Sequence, residues 1–253
     1  MEEKYLVRKV FAENKEKYLT SSTHNNPNDL SLLVEWLQPT SNMTVLDIAT
    51  GGGHVAKALS KHVKKVIASD ITKEMLENTA KHLSNIDNID YCIADAEHLP
   101  FLDSTFDIIT CRIASHHFPK PDRFIREVKR VLKPQGQFML IDNVAPEDGL
   151  LDQFINSLEK LRDVSHVRAL KISEWKKLFN ENQLTLIKER KNKKKLPYDE
   201  WTKRTLKSEN EINKVTDFIC RASENIKSYY RVKWANGSVQ SFSIDEWTAL
   251  YKN

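Results

Sequence analysis

Apolar positions in the first forty residues recur at helical spacing. Leu30, Leu33, Val34 and Leu37 fall at i, i+3, i+4 and i+7, which places them on one helix face. Asn28 is the expected cap of that helix and Pro39 its stop. From residue 45 the pattern changes to short apolar runs alternating with helical segments. Val45–Ala49, Val66–Asp70, Ile89–Ile93, Phe106–Arg112 and Gln137–Asp142 read as strands. Between them, residues 54–61 can form a helix, and Thr72 caps another that shows Leu76, Ala80 and Leu83 on one side. Asp122 caps a third, with Phe124, Ile125, Val128, Val131 and Leu132 facing inward. Five strands joined by helical crossovers predict an α/β fold with a Rossmann-like, doubly wound, mostly parallel sheet.

Beyond residue 146 the pattern is mainly helical. Leu151, Phe154, Ile155, Leu158 and Leu161 mark one amphipathic helix, and Ser173 caps another carrying Trp175, Leu178 and Phe179. Leu184–Arg190 reads as a late strand, residues 198–228 as helical, and Val239–Ile244 as a last strand. The basic run Lys188–Lys195 reads as a solvated strand end.

Composition narrows the class without naming a function. The 253 residues are 40% hydrophobic and 29% charged, an ordinary globular balance, with a net charge of +4 too small to demand a nucleic acid partner. Cys92, Cys111 and Cys220 are widely spaced and form no CxxC or Cys/His ligand pattern, so neither a zinc site nor a disulfide framework is expected. The charged N-terminus and the lack of any long apolar run predict a cytoplasmic protein with no membrane contact, and a monomer or homodimer is expected.

The chemistry concentrates in Val45-Leu-Asp-Ile-Ala-Thr-Gly-Gly-Gly-His54, a strand running into three glycines and then a helix. Glycines let a backbone turn sharply and approach a ligand closely, and open α/β sheets bind ligands at the carboxyl ends of their strands. Gly51, Gly53 and Ala56 satisfy G-x-G-x-x-A, a pattern that also serves NAD. Three acids discriminate. Asp47, inside the first strand, would repel a pyrophosphate but tolerates a cationic ligand. Asp70 ends the second strand, where a carboxylate can accept both ribose hydroxyls. Asp95 ends the third, where it can accept an adenine amino group.

The stretches VLDIATGGGHVA, VIASDIT, IADAEHLPF, FDIITCRIASHHF and REVKRVLKPQGQFMLID, spanning residues 45–142, resemble the class I S-adenosylmethionine (SAM)-dependent methyltransferases. The resemblance is to the broad group containing the ubiquinone/menaquinone C-methyltransferases, and especially to a small bacterial branch within it. It extends more loosely to Tyr18, Ser21, His24 and Asp29, to residues 145–148 and to Leu161-Arg-Asp163. It implies SAM as cofactor, with Ala49, Thr50, Gly51 and Gly53 around its methionine moiety and Arg112 bordering that end. Asp70 would hold the ribose, Ile71 would pack on adenine, and Asp95 and Ala96 would read the adenine edge. Tyr18 and His24 would belong to a helical lid over residues 1–40, ahead of a SAM-binding core at 41–145 and a helical insertion with closing strands at 146–253. The chain lacks the Tyr-Asp-x-Met-Asn stretch of quinone methyltransferases and the Asn-Pro-Pro-Tyr signature of enzymes that methylate planar amino groups.

Methyl transfer chiefly requires alignment of nucleophile, methyl and sulfur, with a base where the acceptor carries a proton. His116 and His117, just past the fourth strand, are the candidate bases. Trp175, Trp201, Trp234 and Trp247 are candidates for an aromatic acceptor pocket. The expected function is therefore methylation of a small-molecule acceptor. The alternatives are an RNA-modifying enzyme of the same fold, a SAM-binding protein without catalysis, and an NAD(P)-dependent oxidoreductase, which Asp47 and Asp95 oppose.

Overall fold

The computed structural model describes residues 2–20 and 27–253, except for the side chains of residues 18–20, 27 and 28. The N-terminal helices are α1 (Glu2–Thr20) and α2 (Pro27–Leu37). The alternating region follows as β1 (Thr44–Ile48), α3 (His54–Ser60), β2 (Lys65–Asp70), α4 (Lys73–His82), β3 (Ile89–Ile93) and β4 (Phe106–Arg112). A single 3-10 turn, Ser115–His117, then leads to α5 (Pro121–Val131) and β5 (Leu132–Val144). The remainder comprises α6 (Gly149–Arg162), α7 (Ile172–Glu181), β6 (Thr185–Pro197), α8 (Tyr198–Lys203), α9 (Glu209–Cys220), α10 (Glu224–Tyr229), β7 (Lys233–Ala235) and β8 (Ser238–Lys252).

The sheet order is β3-β2-β1-β4-β5-β8-β6, with β7 pairing the far end of β8. The first five strands are mutually parallel, and β8 enters antiparallel between β5 and β6. The chain therefore reverses direction across the sheet between β1 and β4, and a crevice opens there at their carboxyl ends. The face under α5 and α7 buries Leu46, Ile48, Ile109, Phe124, Phe138 and Phe179. The opposite face, under α2 and α3, buries Leu33, Leu37, Val45, Val66, Ile108 and Ile141. Strands buried on both faces read as continuous apolar runs, which is why β1, β2, β4 and β5 were legible, while β3 at the sheet edge is partly exposed.

A third core lies beyond the sheet's carboxyl edge, where Phe154, Leu158, Trp201, Val215 and Tyr230 pack on Phe242 and Ile244 of β8. Both closing strands are much longer than the sequence pattern predicts. Their register brings Lys193 opposite Asp245, with which it pairs, while Lys194, opposite Ile244, reaches diagonally to pair with Glu246. Charged residues satisfied across the pairing erase the alternation that would have marked the strands. The basic run is accordingly the middle of β6, not a solvated end.

Local corrections follow from proline and from helix rotation. Pro121 takes the first position of α5 and α2 begins at Pro27, so Asp122 and Asn28 lie inside the first turns. Lys171, not Ser173, caps α7. Thr72 does occupy the cap position of α4, although its side chain makes no capping bond. Helix α4 buries Met75, Leu76 and Thr79, leaving Ala80 partly exposed, and Leu161 points outward from α6. Among the described residues, no helix is long and apolar enough to cross a membrane.

Candidate active site

The glycine loop leaves β1 through Ala49, which has φ +53°, and turns at Gly51 (φ +52°) and Gly53 (φ +74°). Ile113, at the matching end of β4, also has φ +53°. A β-branched residue is a genuine outlier there, and such strain persists where surrounding structure enforces it, commonly at functional sites. Here Ile113 N–H donates to the Ile141 carbonyl at 2.7 Å. The loop is braced from α4, since Thr79 Oγ1 donates to the Gly51 carbonyl at 2.6 Å. A Cβ at Gly53 would fall 2.5 Å from Thr79 Cγ2, so that position is closed to other residues. At Gly51 a Cβ would meet nothing nearer than 3.8 Å.

The acids behave differently from one another. Asp47 is buried and accepts from Thr50 Oγ1 at 2.6 Å and Thr110 Oγ1 at 2.8 Å. Burial outweighs these donors and pushes its pKa up to about 6. Asp70 accepts from the Thr72 N–H at 2.9 Å and the Gly51 N–H at 3.2 Å, and burial raises it too. Asp95 accepts from the Glu97 N–H at 3.0 Å through one oxygen and from Lys4 Nζ at 2.6 Å through the other. Arg112 Nη2 pairs with Asp29 at 3.2 Å.

One cavity is lined by Asp47, Ala49, Thr50, Gly51, Asp70, Ile71 and Arg112. A second, sharing Ala49 and Ile71 with it, continues to Ala94, Asp95, Ala96 and Glu97. Helix α1 roofs both through Val7, which lines each of them. Lys4 at its start binds Asp95 and, at 2.5 Å, Glu97, while Lys17 near its end donates to the Lys203 and Arg204 carbonyls.

Past the other end of the first cavity lies a third, between α6, α8 and the end of β6. His117 lines all three. Its Nδ1 sits 3.0 Å from the Ser165 carbonyl, and Phe11 of α1 meets its ring edge-on at 5.1 Å. His116 lies on the third cavity, its Nδ1 2.7 Å from Asp142 Oδ1. Asp142 also accepts from the Ser115 hydroxyl. Burial opposes the His116 imidazolium, but the Asp142 carboxylate prevails and its pKa rises. His117 is driven down to about 4 by burial and by the neighbouring His116.

The structure thus gathers Asp47, Ala49, Thr50, Gly51, Asp70, Ile71 and Arg112 on one cavity, with Asp95 and Ala96 on its extension. Gly53 shapes the loop without lining either. His24 and the Tyr18 side chain lie outside the described residues. Of the four tryptophans only Trp201 borders the third cavity; Trp175 and Trp247 pack in the core and Trp234 lies on the surface. The sequence reading missed Lys4, Val7 and Phe11 because α1 has no strong apolar stripe. It also missed Asp142 and Ser165, whose roles depend on partners 26 and 48 residues away. The loosely matching Leu161-Arg-Asp163 was a usable signal, since Arg162 and Asp163 line the third cavity.

The sheet order, the strand-end crevice and the glycine loop define a class I methyltransferase fold. The chain belongs to the class I SAM-dependent methyltransferase family: residues 46–140 match the family described as Methyltransferase domain, and full-length relatives agree. It is 38% identical to the uncharacterised methyltransferase YcgJ of Bacillus subtilis, over 92% of this chain and 94% of that one. The uncharacterised protein YafE of Escherichia coli is 31% identical over 69% of this chain and 85% of its own. The crystal structure of Bacillus subtilis YcgJ superposes with a TM-score of 0.86 at 37% identity, covering 89% of this chain and 98% of that one.

Proposed function

We propose that this protein binds SAM along the joined cavities at the ends of β1–β4 and methylates a small molecule. The observation that carries the reading is the order of groups along one continuous path. Asp95 and Ala96 offer an acceptor and a backbone for the adenine edge, and Ile71 offers an apolar face beside them. Asp70, its oxygens already oriented by two backbone N–H groups, is placed for a ribose diol. Gly51 leaves room at the loop, and Arg112 supplies a cation for an amino-acid carboxylate. This donor set fits SAM, whose charges are an ammonium, a sulfonium and a carboxylate, and disfavours a pyrophosphate beside Asp47.

When bound, the cofactor supplies a methyl group on a positively charged sulfur. The residues of this chain orient it, roof it with α1 and exclude water. Lys4 must yield Asp95 if the adenine amino group is to bind there, so α1 acts as a lid over the adenine end. Isothermal calorimetry tests the reading. SAM and S-adenosylhomocysteine should bind and NAD should not, and Asp70→Ala should weaken binding of both sulfur ligands at least tenfold. Absence of binding by either would overturn the proposal.

A further inference from the structure

We propose that the third cavity is the acceptor site and that His117 Nε2 is the base that takes the proton of an acidic hydroxyl, a phenol or enol, as it is methylated. This rests on the SAM reading above. The tautomer follows from geometry. A carbonyl oxygen cannot donate, so the 3.0 Å contact with Ser165 O requires His117 Nδ1 to carry the hydrogen. In a neutral ring Nε2 then holds the lone pair. Among the described residues it has no hydrogen-bond partner, and the ring borders both the SAM cavity and the third cavity.

The surroundings keep that ring neutral. From its own turn His116 faces it, with ring centroids 4.3 Å apart and its Nδ1 held at 2.7 Å by Asp142 of β5, which favours its imidazolium. From α6 and the segment after it come Glu159, Arg162, Asp163 and His166, with Arg162 bound to Glu159 at 2.6 Å and near Asp163 at 3.4 Å. Helix α1 presents Phe11, and Lys194 across the cavity is engaged by Glu246 at 2.6 Å. Ser165 orients the imidazole, and its hydroxyl donates to Asp163 at 2.5 Å. This is a base fixed in direction by a carbonyl, with a carboxylate behind it.

The walls select the acceptor. Phe11, Ile113 and Ile244 give it apolar surface. Asn143 Oδ1 is a buried acceptor without a hydrogen-bond partner, so a ligand that donates hydrogens would complete it. Arg162 is paired with Glu159 and Lys194 with Glu246, and Arg204 also lines the cavity. An imidazole with a pKa near 4 is a weak base, matched to an acidic O–H rather than to an aliphatic alcohol. In the step, the acceptor oxygen, or the carbon it activates, forms a bond to the methyl carbon. The carbon–sulfur bond breaks with its electron pair going to sulfur, and the hydroxyl proton passes to Nε2 and then to water.

The test uses the full chain with methyl-labelled SAM, offering phenol, catechol and acetylacetone beside glycine and a prenylated quinol. Transfer should occur to the phenol or enol probes, with kcat/KM flat from pH 8 to about 5 and falling below as His117 protonates. His117→Asn retains a donor near Nδ1 but no base. It should bind SAM within about threefold of wild type and lose at least about 100-fold in kcat. Nitrogen-15 NMR of the histidine rings should show His117 as the Nδ1–H tautomer at pH 7. Transfer only to glycine or the quinol, or no transfer by a SAM-binding enzyme, would overturn the acceptor class. Unchanged kcat in His117→Asn, or an Nε2–H tautomer, would overturn the base. Failure to bind SAM at all would instead remove the underlying reading.

Discussion

At the scale of single residues, Asp47 carries a desolvation cost. Its folded pKa, raised to about 6 by burial, lies above that of an unfolded carboxyl. The folded state therefore binds more protons between pH 4 and 6, and stability falls as pH rises through that window. Asparagine has nearly the same shape, can still bond to Thr50 and Thr110, and does not titrate. Asp47→Asn should stabilise the free protein by about 2 kcal/mol at pH 8, and the gain should vanish near pH 4. Thermal unfolding at the two pH values checks this. An equal gain at both would show that the carboxylate carries no desolvation cost. The placement of Asp47 was legible from the sequence. Its burial and hydroxyl partners were not, because Thr110 lies on another strand.

At the scale of elements, the glycine loop and α4 form a unit. Gly53 combines φ +74° with a Cβ position occupied by Thr79 and Leu83. Gly53→Ala should cost on the order of 2 kcal/mol, read as a lowered midpoint of unfolding by denaturant. Gly51→Ala, which meets no close atom, carries only the backbone term and should cost less. A reversed order would mean that α4 packing does not constrain the loop. The sequence showed the loop itself, since a strand running into glycines has one local solution. It did not show which glycine is closed by packing, because the blocking atoms belong to a helix 26 residues on.

At the scale of the whole molecule, the N-terminal helix connects both ends of the site. Lys4 reaches across 91 residues of sequence to Asp95, while Phe11 touches His117 and Lys17 holds the α8 end. The Lys4–Asp95 pair is partly exposed and contributes little stability, but Lys4 also holds the buried carboxylate of Glu97, which is costlier to leave without its cation. Lys4→Met should lower the unfolding midpoint, because Glu97 loses its cation, while tightening SAM binding two- to fivefold through faster association. Stopped-flow fluorescence measures the association rate. Slower or weaker binding would show that Lys4 helps hold the cofactor rather than competing with it.

The sequence by itself determined the alternating α/β core, the five parallel strands, and the glycine loop with its acids. Those features are written locally, in apolar runs buried on both faces and in backbone turns that glycine alone permits. Only the tertiary structure decided the long β6–β8 pairing, in which lysines and acids satisfy one another and so conceal the strands. It also decided the roof made by Lys4, Val7 and Phe11, and the difference between two adjacent histidines. His116 and His117 are the same residue type side by side. A carboxylate from β5 pulls one toward the imidazolium, while burial and that neighbouring ring push the other toward the neutral form, because titration answers to neighbours in space as well as in sequence.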